Sequence, residues 1–205
     1  MATDIKNCPQ AALYDSLRFC QGERVLPGIR QKVYCIPKRD VVAWPKLPDA
    51  TAADADFTKL ATYTGNFTLA ADKKWLLLDL AQNKGQIEWE TQGDRPARTF
   101  LNKFTLYSPL IDGSAAAFQM LAISDDLLFL VQQRDGKFRL LGNEMFETDV
   151  KPKGATGEGL TGEAGSQFEI EVTDIAPAPF YPGTISTKDD GEISGEDGST
   201  VAAKP

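Results

Sequence analysis

Histidine is absent from this 205-residue chain. Its absence removes imidazole acid–base catalysis, Ser-His-Asp and Cys-His nucleophile pairs and the H-E-x-x-H zinc site. Cysteine is scarce: Cys8, Cys20 and Cys35 are odd in number and lack C-x-x-C spacing. A disulfide framework is therefore not expected, and a reduced cytosolic origin with buried or idle thiols is. No run approaches the roughly 18 apolar residues of a spanning helix. Asp4, Lys6, Asn7 and Pro9 leave no apolar core for a secretory signal, so Asn66-Phe67-Thr68 matches a glycosylation sequon by chance. Basic charge is the minority sign. The net charge of −7 opposes a general phosphate-binding surface, which rests on Lys and Arg.

What remains is enough for one sizeable core with an appended arm, at 42% hydrophobic content. The chain is organised around Leu127–Leu141, where two apolar, strand-prone runs flank Asp135-Gly136. That dipeptide predicts a type I′ hairpin, with positive φ at both residues. Leu127–Val131 is apolar on both faces and predicts a strand covered on both sides, while Phe138 and Leu140 alternate with Lys137 and Arg139. Met145–Val150 continues the meander. Further strands are expected at Val33–Ile36, Tyr63–Leu69, Trp75–Leu80, Ile87–Thr91, Thr99–Tyr107 and Gln167–Asp174. In Thr99–Tyr107, Asn102 shares a face with Phe100, Phe104 and Leu106, so it must lie near a strand end or find a partner.

One segment changes period. Ala115–Ile123 predicts a short helix, capped by Asp112 or Ser114, with Phe118, Leu121 and Ala122 on its packed side. Ala11–Arg24 reads as a short helix or an extended arm. Gln21–Asp56, with Pro27, Pro37, Pro45 and Pro48, reads as a long connection lying over something else. The fold class expected is mainly β (α+β): a β-sandwich or barrel with one packed helix, a long N-terminal arm and an extended C-terminal tail. Its expected divisions are an arm and connection over 1–56, a β-rich domain over 57–182 and a flexible acidic tail over 183–205. The run Ala176–Pro182 is expected to be extended and unable to donate a regular ladder.

No motif carries catalysis. Gly157-Glu-Gly159-Leu-Thr-Gly162 matches the dinucleotide G-x-G-x-x-G literally, but a period-two strand follows it where that motif needs a helix, and Glu158 and Glu163 would repel phosphate. Asp54 and Asp56, or Asp125 and Asp126, lack the spacing of a calcium loop and read as turn or capping residues. No catalytic, cofactor-binding or metal residue is assigned, and no cofactor. The stretch Arg24–Lys46 holds six basic residues and one acid, a charge of +5, which leaves −12 for the rest of the chain. It is expected to contact acidic protein surface rather than stack single-stranded nucleic acid.

The helix over Asp112–Ile123, the late strands Met145–Val150 and Gln167–Asp174, the glycine-rich Lys151–Gly165 and the ending Glu169–Tyr181 resemble the tail tube (major tail) proteins of long-tailed bacteriophages. The likeness spans about Ala61–Tyr181. It implies a virion structural protein, made in the host cytoplasm, without enzymatic activity. Its subunits would form rings, commonly hexameric, with strands joining across subunits, and rings would stack into a tube. Partners would be further copies and other tail proteins, with DNA only as passing cargo and no membrane. A capsid-decorating or other virion assembly protein is the alternative. The assembly interface is expected at Arg30, Lys32, Lys38, Arg39, Trp44, Gly157, Gly159 and Leu160.

Overall fold

The computed structural model describes residues 13–22, 24–52, 54–159 and 162–201. In chain order the strands are β1 (Ile29–Pro37), β2 (Val41–Ala43), β3 (Thr68–Leu69), β4 (Leu76–Asp79), β5 (Gly85–Gln92) and β6 (Thr99–Ser108). The helix α1 (Gly113–Ala122) precedes β7 (Leu127–Gln133), β8 (Phe138–Leu141), β9 (Thr148–Ala155), β10 (Gly165–Asp174), β11 (Thr184–Ser186) and β12 (Glu192–Ser194). Two antiparallel four-stranded sheets, ordered β4-β1-β7-β8 and β5-β6-β10-β9, dominate this mainly β, sandwich-like fold.

At its centre, over Val33–Ile36 of β1 and Leu127–Val131 of β7, the first sheet is buried on both faces. Leu127, Phe129 and Val131 of β7 join Val33 and Cys35 of β1 in a core against Phe104, Leu106, Phe168, Ile170 and Val172 of the second sheet. The alternate residues Leu128, Leu130, Tyr34 and Ile36 enter a second core with Trp75, Tyr181, Ile185 and Ile193. Period-two alternation sends neighbouring residues to opposite faces, so a strand apolar throughout needs two covers. Cys35 lies in the first core, where burial pushes its thiol up to about 12, and Cys20 is exposed; Cys8 is outside the described residues.

Three sequence expectations are corrected here. Residues 29–43 are no arm: Val33–Ile36 is apolar on both faces, like β7, and pairs with β4 and β7 at the sheet's centre. Residues 184–201 are no solvated tail: Ile185 and Ile193 pair directly and both are buried, and Asp190 pairs with Lys32 of β1 while Asp189, Glu192, Glu196 and Asp197 are exposed. The division at 56 and 182 therefore separates segments that share one core. The central turn is also shifted. Gln133 O accepts from Gly136 N at 3.0 Å and Gln133 N donates to Lys137 O at 2.9 Å, so Arg134 and Asp135 are the turn's middle residues. Gly136 alone takes positive φ, at 102°, as the bulge that follows a type I turn.

The remaining elements follow local chemistry. Asp112, not Ser114, caps α1: its Oδ1 accepts from Ala115 N at 3.0 Å. Phe118 packs edge-on against Phe168 and Ala122 is buried, but Leu121 is exposed rather than packed. The strand expected from Met145 starts at Thr148, because Asn143 Oδ1 accepts from the Met145 and Phe146 amides and holds them in a turn. Ala176–Pro182 lines the outer edge of β8: Leu140 N donates to Pro179 O and Tyr181 N donates to Phe138 O, both at 2.9 Å. Proline carbonyls accept where proline nitrogens cannot donate.

Asn102 finds its partners there. Fully buried, it donates to Ala176 O at 3.1 Å and accepts from Ala178 N at 3.0 Å. Replacing it with Ala strands two buried backbone groups and opens a cavity, for an expected loss of about 3 kcal/mol. Denaturant unfolding checks this; a loss under about 0.5 kcal/mol would show that the clamp is dispensable.

Asp174 is fully buried beside this run, and burial raises its pKa against the lowering effect of the Ile175 and Ala176 amides and Asn143. The fold thus favours the protonated form. Its stabilising contribution is complete below the unfolded pKa of about 3.9 and is lost as pH rises through the higher folded value. Asp174→Asn should flatten that decline, so the stability difference between the two proteins should change with pH above about 4. A pH-independent difference in denaturant midpoints would reject the assignment.

Candidate assembly interface

Strand register sets two ends on the sandwich. Ile29 pairs with Gln133 at one end of β1, and Pro37 pairs with Leu127 at the other. The sequence-expected residues divide between them. Arg30 and Lys32 lie at the β1 start, in a cleft of about 520 Å³ with Tyr34, Gln132, Arg134 and Asp190. Lys32 Nζ meets Asp190 Oδ1 at 2.7 Å and Tyr34 OH donates to Asp190 Oδ2 at 2.7 Å. These two contacts, Lys32 first, hold the Asp190 carboxyl below its ordinary pKa. Burial raises that of the Tyr34 phenol.

Lys38 and Arg39 lie at the far end and are engaged within the chain. Lys38 Nζ approaches Asp126 Oδ2 at 3.1 Å and Phe146 O at 3.0 Å, and Arg39 pairs with Asp125. The acidic surface expected on another copy is here the subunit's own. Trp44 likewise packs internally, edge-on to Phe67 at 5.5 Å, and Phe67 contacts Trp75 and Tyr181. Gly157 and Gly159, with φ of 80° and 63°, sit in the β9–β10 connection; Leu160 is outside the described residues. That connection joins two strands. Its neighbour Glu163 pairs with Lys84, which places it at the β1-start end.

The arrangement missed from sequence is the solvent face of the second sheet. Asn102, Phe104, Leu106, Phe168, Ile170 and Val172 point inward, so their neighbours point out. Across the strands, the outward charges are Glu88 and Glu90 on β5, Lys103 on β6, Glu169 and Glu171 on β10, and Asp149, Lys151 and Lys153 on β9. Lys103–Glu90 closes at 2.5 Å, Lys153–Glu169 at 2.5 Å and Lys151–Glu171 at 2.6 Å. By net charge the strands alternate, −2 on β5, +1 on β6, −2 on β10 and +1 on β9, although Asp149 lies directly opposite Glu171 and shares Lys151 with it. These pairs are exposed and screened by solvent, so the pattern bears on what the sheet can meet more than on stability. Glu169 and Glu171 were legible as outward-facing, but only register shows lysines beside them.

The two outermost strands differ in their backbones. Pro152 removes a donor from β9, and Asp126 Oδ1 takes the Thr148 amide at 3.0 Å. Strand β5 has eight residues and no proline. Among the described residues no helix is long and apolar enough to cross a membrane. No family description, curated protein or solved structure matches this chain.

Proposed function

We propose that this chain is a self-assembling virion structural protein, a tail tube subunit whose copies close into rings that stack and conduct DNA. The alternating charge columns carry the reading. By net charge a second β5 placed beside β9 continues the alternation, −2 against +1, whereas β5 against β5 or β9 against β9 sets like net charges together. Two different, complementary edges on one subunit specify a heterologous contact, which propagates and closes when the rotation allows. Unpaired edges are a liability in a monomer and a template in an assembly.

The same face suits a conduit. With Asp149 it carries five carboxylates against three lysines, a net −2. Like charge opposes adsorption of DNA phosphate. In this reading the face lines the lumen, and DNA passes as cargo.

The test is charge reversal. Glu88→Lys with Glu90→Lys should leave the subunit folded, since those side chains are exposed, and should abolish rings in negative-stain images at physiological salt. Lys151→Glu with Lys153→Glu should do the same. Mixing the two variants should restore association, because each then offers the edge that the other needs. Rings in the first variant equal to wild type, or a wild type that stays monomeric by light scattering to near-millimolar concentration, would sink the reading.

A further inference from the structure

Register within the second sheet fixes which backbone groups its two edges offer. The Thr148 amide is held by Asp126 Oδ1 at 3.0 Å rather than by β10, so the inward residues of β9 turn their backbone groups to the open edge. Pro152, inward by the same alternation, has no N–H to lose there. Alternation across the row Thr148, Val172, Asn102 and Trp89 turns the Trp89 backbone groups to the opposite edge. Ile87, Trp89 and Thr91 of β5 can therefore pair only with inward residues of a neighbouring β9. A sheet that keeps its core side chains on one face thus admits registers only two residues apart.

We infer that β5 of one copy pairs antiparallel with β9 of the next at a stagger of four residues, setting Glu88 opposite Lys153 and Glu90 opposite Lys151. This rests on the ring reading and specifies its joint. Charge separates the registers. Without stagger Glu88 faces Asp149, and at two residues Glu90 faces Asp149. At six, Glu90 alone meets a lysine and Asp149 falls opposite Asp94. At four, both glutamates meet lysines and Asp149 faces Gln92. The lysines are already paired within the subunit, but the sheet shows that one lysine serves two sides: Lys103 lies between Glu88 and Glu171 in its row. Lys151 and Lys153 keep Glu171 and Glu169 on one side and gain Glu90 and Glu88 on the other.

Two observations independent of charge select the same stagger. The first is the Thr148 amide, which Asp126 has taken. At staggers of zero and two Thr148 would lie opposite Trp89 and Thr91 and deny them a donor; at four it lies opposite Gly93, past the end of β5. The second is closure. A row traced from Trp89 through Asn102 and Val172 to Thr148 then reaches Gly93 of the next copy, four residues beyond its start. Each copy adds four strands and four residues of shear, so shear equals strand number for any number of copies. Eight strands with a shear of eight tilt by about 36°, within the roughly 35–45° of closed barrels. A joint without stagger has no shear and leaves the strands along the axis, which a barrel does not allow, and a stagger of two gives half the shear. On the core face, Trp89, 46% exposed in the subunit, comes opposite Pro152 and is covered.

Disulfide trapping tests the register in the full-length chain. In a Cys8→Ser, Cys20→Ser background, Lys151→Cys is combined in turn with Glu90→Cys, Glu88→Cys or Gln86→Cys, which lie opposite it at staggers of four, two and zero. All four positions are exposed, and Cys35 is buried and does not compete. Opposed outward residues at this joint form a pair without backbone bonds between them, the closest approach of two strands and one that a disulfide accepts. Within one chain two strands separate β5 from β9, about 14 Å, so no bond closes inside the subunit. Under mild oxidation the Glu90→Cys variant should give dimers and higher species on a non-reducing gel about tenfold faster than the other two. Glu88→Cys with Lys153→Cys reads the same register in the next row and should match it. Fastest bonding from either of the other variants, or equal rates in all three, overturns the register and leaves the ring reading standing. Rings in negative-stain images without product in any variant refute this joint alone; neither product nor rings sinks both.

Discussion

The fold depends on a first sheet whose central strands have no solvent face. Strands β1 and β7 are apolar at consecutive positions, and every second residue of each would meet water without a second cover. One cover is the second sheet. The other is irregular, built from β2, β3, Trp75, the run through Tyr181 and the β11–β12 hairpin. Burying a large apolar side chain stabilises by about 1.5–3 kcal/mol, so an uncovered Leu128, Leu130, Ile36 and Tyr34 would forfeit much of a domain's net stability. The acidic C-terminal stretch is therefore structural. Two isoleucines and the Asp190 contacts to Lys32 and Tyr34 bind it down, and its other carboxylates stay exposed.

A cover made of loops must satisfy its backbone polar groups by other means than a ladder. Asn102 does so for Ala176 and Ala178, and the Arg139 guanidinium donates to Ala178 O at 2.6 Å while lying over the Phe180 ring at 4.1 Å and the Trp89 ring at 4.8 Å. Burial lowers the Arg139 pKa. These groups close the β8 edge, which leaves the longer free edges to the second sheet. Where pairing is prevented and where it is permitted are both settled by a few polar side chains.

The sequence made β7, α1 and β10 legible, because each carries its own periodicity and α1 carries its cap as well. It concealed the central place of β1 and the packing of the tail. Val33–Ile36 was legible as a strand, but the prolines around it assigned that strand to a connection, although its four residues carry the same two-faced signal as β7. In the tail, Ile185 and Ile193 are isolated in an acidic context, and only their direct pairing makes them a face. The expected interface was legible as charge but not as partnership. Lys38 and Asp126 are 88 positions apart in a chain whose folding alone brings them to 3.1 Å. The same holds for the alternating columns, since Glu88, Lys103, Glu169 and Lys151 lie on four separate strands.

Edges and ends point in different directions, and this bears on the kind of assembly proposed. The β5 and β9 edges lie across the strands, whereas the two ends of β1 lie along them. A subunit complementary only across its strands could close into a ring and stop, so stacking draws on the ends. The edge contact is heterologous, so every copy in a ring is used in the same orientation and the ring has two unlike faces, one carrying the Ile29 ends and the other the Pro37 ends. Rings of that kind stack face to back, and the resulting tube has distinct ends. Isologous dimers, which would consume the edges without propagation, place like net charges together at both edges. The charge pattern therefore disfavours the short-circuits as well as favouring the lattice, which is the combination that specificity requires.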